Sequence, residues 1–497
     1  MVLLALGMAA VPLQALWAQP QVLRTGEIET TLLERLWCLG GLVGLLGIAW
    51  LFSKHRSRVD WRLVGIGVGL QLVFAVLILN TPFGGPVFAA AGSVFDRLLG
   101  FTAAGSNLLF GFNETFLMTF AFGVLPTVIF FSSLMAVMYH LGVMQRLVSG
   151  MAWVMQRTMR TSGSETLSAA ANIFVGQTEA PLMIRPYITG MTRSELMAVM
   201  TGGFATVAGG VMAMYIAMLS PFFPDIAGHL LAASVMSAPA ALVVAKIMHP
   251  ETEVSQTAGG ARVKVQATDA NVIDAAARGA SEGMTLSLNI AAMLLAFVAL
   301  MAMLNFVCAW PSYLQHGSVL RGVWDELQSA GVLVPGDLAA RCAVGAPMEV
   351  RAGCVTELGS LLPGGTGVGS LWPVVTMERV FGWCFAPLAL LMGVPWSDCL
   401  VVGELLGTKT VLNEFIAYQR LREFVADPSL QLHPRSVVIA SYALCGFANF
   451  GSVAIQLGGI GGMAPDRRED IARLGLRAMI GGSLAGFMTA CIAGALL

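Results

Sequence analysis

Charged residues are scarce in this sequence. Asp, Glu, Lys and Arg make up 11% of its 497 residues and hydrophobic residues 56%, a balance that excludes a soluble domain of this size. The formal net charge is −1, and the basic residues fall in short clusters between apolar runs, so there is no basic stripe to hold a nucleic acid. The cysteines show no C-x-x-C or other metal-ligand spacing, and most, such as Cys38, Cys384, Cys445 and Cys491, lie in apolar stretches where a thiol is a small hydrophobe. Catalytic signatures are missing as well. Without H-E-x-x-H, G-x-S-x-G or a paired-Asp motif, a membrane-embedded hydrolase is not supported. A passive pore would need charge rings or repeated filter sequences, and neither occurs. The run Gly403-Glu404-Leu405-Leu406-Gly407-Thr408-Lys409-Thr410 misses the phosphate-loop spacing and follows no soluble strand.

What remains is a series of apolar runs whose solvent is lipid. Spans are expected over Leu36 to Phe52, Leu63 to Leu79, Phe116 to Tyr139, Ser194 to Leu219, Ile226 to Met248, Met284 to Cys308, Val437 to Leu457 and Ala478 to Leu496. The loop with Lys54, Arg56, Arg58 and Arg62 is expected to be cytoplasmic. Counting onward places Arg146, Arg157 and Arg160, then Lys246 to Arg278, then Arg467, Arg468, Arg473 and Arg477 on the same side. Two apolar segments, Ser164 to Thr189 and Val380 to Ala417, are broken by Gly and Pro. They read as re-entrant hairpins, tolerable at membrane depth where protein or a wet cavity covers their backbone.

Each hairpin carries a carboxylate that lipid would reject. Gly176-Gln177-Thr178-Glu179-Ala180-Pro181 and Val411-Leu412-Asn413-Glu414-Phe415 set a glutamate among apolar neighbours, at a cost of about 2.5 to 3.5 kcal/mol at mid-membrane, so such residues mark a substrate or ion path. A repeat follows: Gly203-Phe204-Ala205-Thr206 after the first hairpin and Gly446-Phe447-Ala448-Asn449 after the second. The same interrupted device in two halves points to a transporter site near the midplane. Gln177, Thr178, Glu179, Glu414, Asn449 and Ser452 offer amides, hydroxyls and carboxylates suited to a neutral, hydrogen-bond-rich solute. Around Thr206, Gly202, Gly203, Gly209 and Gly210 permit close backbone approach and leave oxygens for a small cation, to which Asn172 could add another. The bland alternative is that Glu179 and Glu414 are structural, paired with Arg185 or Lys409. Phe447 could equally be core packing, and Thr206 could bond only its own helix.

The run Ala171-Asn172-Ile173-Phe174-Val175-Gly176-Gln177-Thr178-Glu179-Ala180-Pro181 resembles the concentrative nucleoside transporter family, as do Gly407 to Tyr418, Cys445 to Gly459, Leu125 to Phe131 and Asn271 to Ala276. The resemblance covers roughly Leu36 to Leu497. It implies an all-α polytopic membrane protein, about eight transmembrane helices plus two re-entrant helical hairpins in inverted repeats. It also implies a homotrimer in which a mobile transport domain moves like an elevator past a scaffold. By the resemblance, Gln177, Thr178, Glu179 and Val211 surround the nucleobase, and Glu414, Asn449 and Ser452 hold the ribose with Phe447 nearby. Sodium, the coupling ion and not a cofactor, would sit among Asn172, Thr206 and the carbonyls of Val175 and Val207. Gly176-Gln177 and Thr206-Val207 resemble the pairs of broadly selective members, so uridine and adenosine are both expected. A proton-coupled nucleoside symporter, or a sodium symporter for another neutral polar solute, are the alternatives. The expected location is the bacterial inner membrane.

The expected organisation is an apolar leader at 1–35 (signal peptide or extra helix), scaffold helices at 36–140, a first transport-domain repeat at 141–283, a scaffold helix at 284–309, a periplasmic insertion at 310–370 and a second repeat at 371–497. The leader, the insertion and Gly451, where a Ser is common, depart from the family pattern. Cys342 and Cys354 share the polar insertion, on the side where disulfides persist, and are expected to be bridged.

Overall fold

The computed structural model describes residues 28, 30–80, 84–110, 125–258, 269–329, 332, 334, 336–342, 354, 358, 361, 375–427 and 432–497. Most of the leader, the start of the expected Phe116 to Tyr139 span and much of the insertion lie outside them. All regular structure among the described residues is helical, as expected for an all-α membrane protein. Among the described residues, six helices are long and apolar enough to cross a membrane, and a further pair, bent by 77°, passes that test together.

The described residues form two compact units, 1–292 with 382–497, and 293–381. In the first unit, α1 (Leu32–Leu51) opens on a capping box in which Thr31 and Glu34 satisfy each other's backbone N–H groups. Asp60 caps α2 (Trp61–Ala75), which runs on as a π-helical turn over Val76–Asn80. Next come α3 (Gly84–Phe110), then α4 (Leu125–His140) and α5 (Val143–Met159), bent at Gly142. α3 and α5 were not among the expected spans. Asp96 and Arg97 interrupt the apolar run of α3, and α5 is amphipathic and carries Arg146 and Arg157.

The expected first hairpin is present as α6 (Gly163–Ala171), a turn, and the short α7 (Glu179–Leu182) and α8 (Arg185–Ile188). The expected Ser194 to Leu219 span is two half-helices, α9 (Arg193–Ala205) and α10 (Gly209–Leu219), parted at Thr206, whose backbone is extended. α11 (Ile226–Met248) is unbroken despite Pro239. α12 (Val272–Ser329) contains the expected Met284 to Cys308 span, belongs to the first unit up to Ala292, and continues past Trp310 because Pro311 does not stop it.

The second unit has its own core. Leu320, Val323 and Leu327 of α12 pack with Leu338 of α13 (Gly336–Arg341) and with Cys342, Cys354 and Leu358. Cys342 and Cys354 are disulfide-bonded, with Cα atoms 5.6 Å apart.

Beyond α14 (Met377–Leu391), the second hairpin is α15 (Cys399–Val411) and α16 (Glu414–Ala426), which pack against each other. This shifts the expected Val380 to Ala417. Pro387 stays inside α14, and the decisive stop is Asn413, which leaves the helix and caps α16 by accepting the Ile416 N–H at 2.9 Å. The expected Val437 to Leu457 span is likewise broken, into α17 (Pro434–Leu444) and α18 (Phe450–Met463). α19 (Arg468–Leu496) closes the chain and packs against α1, α9, α11, α17 and α18. Hairpin, broken helix and full helix thus occur twice in the same order.

Lys54, Lys246 and Arg467, three of the basic residues expected on one side, lie near one another at one end of the first unit. The Lys54 N–H donates to Met248 O at 3.0 Å, Ser194 Oγ donates to His249 O at 2.7 Å, and Arg467 donates to Thr189 O and Met191 O. There the buried Lys246 pairs with Glu165 at 2.8 Å and Glu251 at 3.2 Å. At the other end, Arg35 donates to Leu497 O.

Candidate functional site

The two helix breaks face each other. Gly446 adopts φ +131°, which an L side chain rarely takes, and a Cβ there would lie 2.7 Å from Phe204 O and 2.9 Å from Ala205 O. Gly203 is equally tight, since an added Cβ would sit 2.8 Å from Gln456 Nε2 and 2.9 Å from Gln177 Cβ. The repeated Gly-Phe-Ala motif is therefore a crossing of backbones. Its glycines let the two interrupted helices touch where their hydrogen-bond ladders are open.

Polar side chains from both hairpins and both broken helices meet around this crossing. Glu414 opens α16, and the first turn of a helix favours a negative charge. Its Oε1 accepts from Tyr215 of α10 at 3.0 Å and its Oε2 from Asn449 Nδ2 at 2.9 Å. Asn449 also caps α18, accepting the Ser452 N–H at 2.8 Å. Ser452 Oγ accepts from Gln177 Nε2 at 3.0 Å, and Gln456 Nε2 donates to both Gln177 Oε1 and Met200 O. Gln177, Glu414, Asn449 and Ser452 are all buried. Neither of the structural ion pairs considered from sequence forms: no ion pair among the described residues joins Glu414 to Lys409 or Glu179 to Arg185, and Lys409 Nζ donates instead to Ala443 O at 2.8 Å.

The other expected contacts are distributed less tightly. Val211 is buried, Thr178 and Phe447 are half-buried, and Glu179 is exposed. Thr178 faces α18, where a Cβ on Gly459 would meet its Cγ2 at 2.9 Å. The two carboxylates thus differ: Glu414 is held inside the cluster, whereas the Glu179 carboxyl folds back toward Gly176.

A second set of oxygens lies where the turn of the first hairpin meets the α9–α10 break. The Gly209 N–H donates to Phe174 O at 3.0 Å, stitching the two together. Asn172, Thr206, Val175 and Val207 are all buried. Thr206 Oγ1 donates to Gly202 O at 2.9 Å, leaving its lone pairs available. Asn172 is fully buried, and neither its amide oxygen nor its amide nitrogen has a hydrogen-bond partner. Leaving such a group unsatisfied costs about 1 to 3 kcal/mol, so a native amide in this position fits a hard cation held by oxygen ligands.

Sequence reasoning missed Tyr215 and Gln456. Tyr215 lies four residues after Val211, on the same face of α10, and Gln456 is an isolated amide in a Gly-rich apolar helix. Either position was a readable signal. Their partners sit on distant elements, and that was not.

The chain matches the family models described as Na+ dependent nucleoside transporter C-terminus over residues 229–328 and 346–494, Na+ dependent nucleoside transporter N-terminus over 40–113, and Gate, nucleoside recognition, over 121–222. It is 41% identical to Solute carrier family 28 member 3 of Eptatretus stoutii, across 92% of this chain and 60% of that protein. It therefore spans about three fifths of the length of such relatives. It is 39% identical to the uncharacterized transporter YutK of Bacillus subtilis (strain 168), across 92% of this chain and 98% of that one. The solved structure of CNTnw in an inward-facing substrate-bound state is 38% identical, with a TM-score of 0.75, covering 93% of this chain and 98% of that one.

Proposed function

The chain belongs to the Na+-dependent nucleoside transporter family, a family of multi-pass membrane transporters, and from that premise we propose that it imports nucleosides by symport with sodium. The observation that carries this reading is the buried cluster of Gln177, Glu414, Asn449 and Ser452 at two facing helix breaks, beside the unpartnered amide of Asn172. The cluster supplies a carboxylate acceptor for ribose hydroxyls and amides that can pair with a base edge. Asn172 and Thr206, with the Val175 and Val207 carbonyls, supply oxygens for sodium. The Gly176-Gln177 and Thr206-Val207 pairs support broad selectivity, with purine and pyrimidine nucleosides, adenosine and uridine among them, both carried; Gly176 leaves space that the Glu179 carboxyl occupies.

The relatives named sodium/nucleoside cotransporter, and the inward-facing and outward-facing states of CNTnw, support coupling and alternating access here. We place the protein in the bacterial inner membrane as a homotrimer whose transport domain moves as an elevator. In proteoliposomes, an inward sodium gradient drives labelled uridine uptake that choline does not replace. At 100 mV, one charge moved contributes about 2.3 kcal/mol, close to fiftyfold accumulation before any sodium gradient is counted. Equal uptake in sodium and choline with strong stimulation by a proton gradient would establish proton coupling instead. Sodium-driven uptake of another neutral solute, with no competition by nucleosides, would reassign the substrate.

A further inference from the structure

One amide of the buried cluster has no part in the proposed symport. Gln456 lies on α18, four residues after Ser452 and three before Gly459, and these three positions share one face of the helix. That face meets the turn of the first hairpin: Ser452 and Gln456 both bond Gln177, and a Cβ on Gly459 would meet Thr178. Gln456 is fully buried, and its Oε1 has no hydrogen-bond partner. An orphaned amide oxygen is a cost that a Met or Leu in this apolar helix would not incur. What the amide contributes comes from its nitrogen.

That nitrogen fixes a chain of polarity. Met200 O can only accept, so the Gln456 atom 3.1 Å from it is the donor Nε2 and not Oε1. The same Nε2 stands 3.0 Å from Gln177, which must therefore face it with its acceptor, Oε1. Gln177 Nε2 is thereby turned to Ser452 Oγ, at 3.0 Å. Reversing Gln177 alone would set its amino group against that of Gln456, and reversing Gln456 as well would set a carbonyl against Met200 O. Gly203 makes room for the arrangement, because a Cβ there would lie 2.8 Å from Gln456 Nε2. One bond to Met200 already ties α18 to α9. The second proton goes to the side chain that, in the nucleoside reading, faces the base.

We propose that Gln456 determines base specificity as a positioning residue, locking the Gln177 carboxamide so that it shows the nucleobase one fixed order of donor and acceptor. With its two bonds made, Gln177 keeps one N–H and one lone pair for the base. Uracil and cytosine carry opposite orders at positions 3 and 4: N–H beside C=O in the first, a bare ring nitrogen beside an amino group in the second. A locked amide separates the two, whereas one free to turn over accommodates both. The inference rests on the nucleoside reading above and deepens it, from the class of substrate to the edge of the base that is read.

The test measures uridine and cytidine uptake by the full-length protein in proteoliposomes, comparing wild type with Gln456→Met, which keeps the length of the side chain and removes its polar atoms. In the wild type the two KM values should differ by about tenfold or more, equivalent to about 1.4 kcal/mol. Gln456→Met should bring them to within about twofold of each other. Its penalty for 2′- and 3′-deoxyuridine, which the Glu414 carboxylate sets, should stay as in the wild type. In a Gln177→Ala background, adding Gln456→Met should leave the uridine-to-cytidine ratio where Gln177→Ala alone puts it, because the residue acts through Gln177. A wild type that treats the two bases alike overturns the proposal, as does a Gln456→Met protein that keeps the wild-type ratio. Loss of base and ribose discrimination together, or an effect that adds to that of Gln177→Ala, makes Gln456 a packing residue and overturns it too. Melting temperature is the folding control, and Gln456→Leu takes the place of a Gln456→Met protein that does not fold. A wild type that carries neither nucleoside defeats the nucleoside reading and this inference with it, whereas uptake of both at equal KM defeats the inference alone.

Discussion

Replacing Glu414 by alanine tests the ribose assignment with a magnitude that follows from the structure. Each carboxylate oxygen has about two lone-pair positions. One position on Oε1 is taken by Tyr215 and one on Oε2 by Asn449, so each oxygen retains one acceptor site for a ribose hydroxyl. A hydrogen bond to a charged group contributes about 1.5 to 3 kcal/mol. Two such bonds are therefore worth roughly 3 to 6 kcal/mol, or about two to four orders of magnitude in affinity. Removing one hydroxyl from the substrate should cost the wild type about 10- to 100-fold by the same arithmetic. The assay is uptake and binding of uridine and its 2′- and 3′-deoxy analogues by wild type and Glu414→Ala at matched expression. In the variant the three substrates should converge, because the acceptor that told them apart is gone. A wild type that does not distinguish them, or a variant that keeps normal uridine affinity, refutes the assignment.

Three other substitutions probe the remaining parts. Asn172→Ala should raise half-saturating sodium by about tenfold (about 1.4 kcal/mol) and remove the sodium-dependent shift in melting temperature. It should cost little stability without sodium, since the amide has no protein partner to lose; an undiminished sodium shift would contradict the ion site. Gly446→Ala places a Cβ 2.7 Å from Phe204 O at φ +131° and should lower stability by about 1 to 3 kcal/mol, with uptake lost; an unchanged melting temperature would show that the crossing is not tight. Cys342→Ser opens the bridge to Cys354, costing the second unit about 3 kcal/mol while leaving uridine uptake intact. Full labelling of both thiols in unreduced, denatured wild type would disprove the bridge.

Much of this site was legible because lipid makes polar residues conspicuous. Glu179 and Glu414 stand out in apolar runs, and the repeated Gly-Phe-Ala motif marks both broken helices. Hydropathy could not see the breaks themselves. Residues 194–219 and 437–457 read as continuous spans because Thr206 and Cys445–Asn449 interrupt the backbone without interrupting the apolar pattern. Proline misled in the second hairpin: Pro387 is absorbed by a helix, and Asn413, through its capping bond, makes the turn. The orphaned amide of Asn172 and the reach of Tyr215 and Gln456 belong to tertiary structure. They depend on which distant elements pack together, and no local pattern encodes that.

The symport proposed above requires sodium and nucleoside to cross on the same molecule in one obligatory step. Thermodynamic reciprocity then requires each gradient to drive the other solute. The most direct measurement uses proteoliposomes with equal sodium on both sides, the membrane potential clamped at zero, and tracer radioactive sodium outside. An inward uridine gradient should drive net sodium entry, and Glu414→Ala should abolish it. Sodium entry that is indifferent to uridine, in vesicles that still take up uridine, would contradict the account.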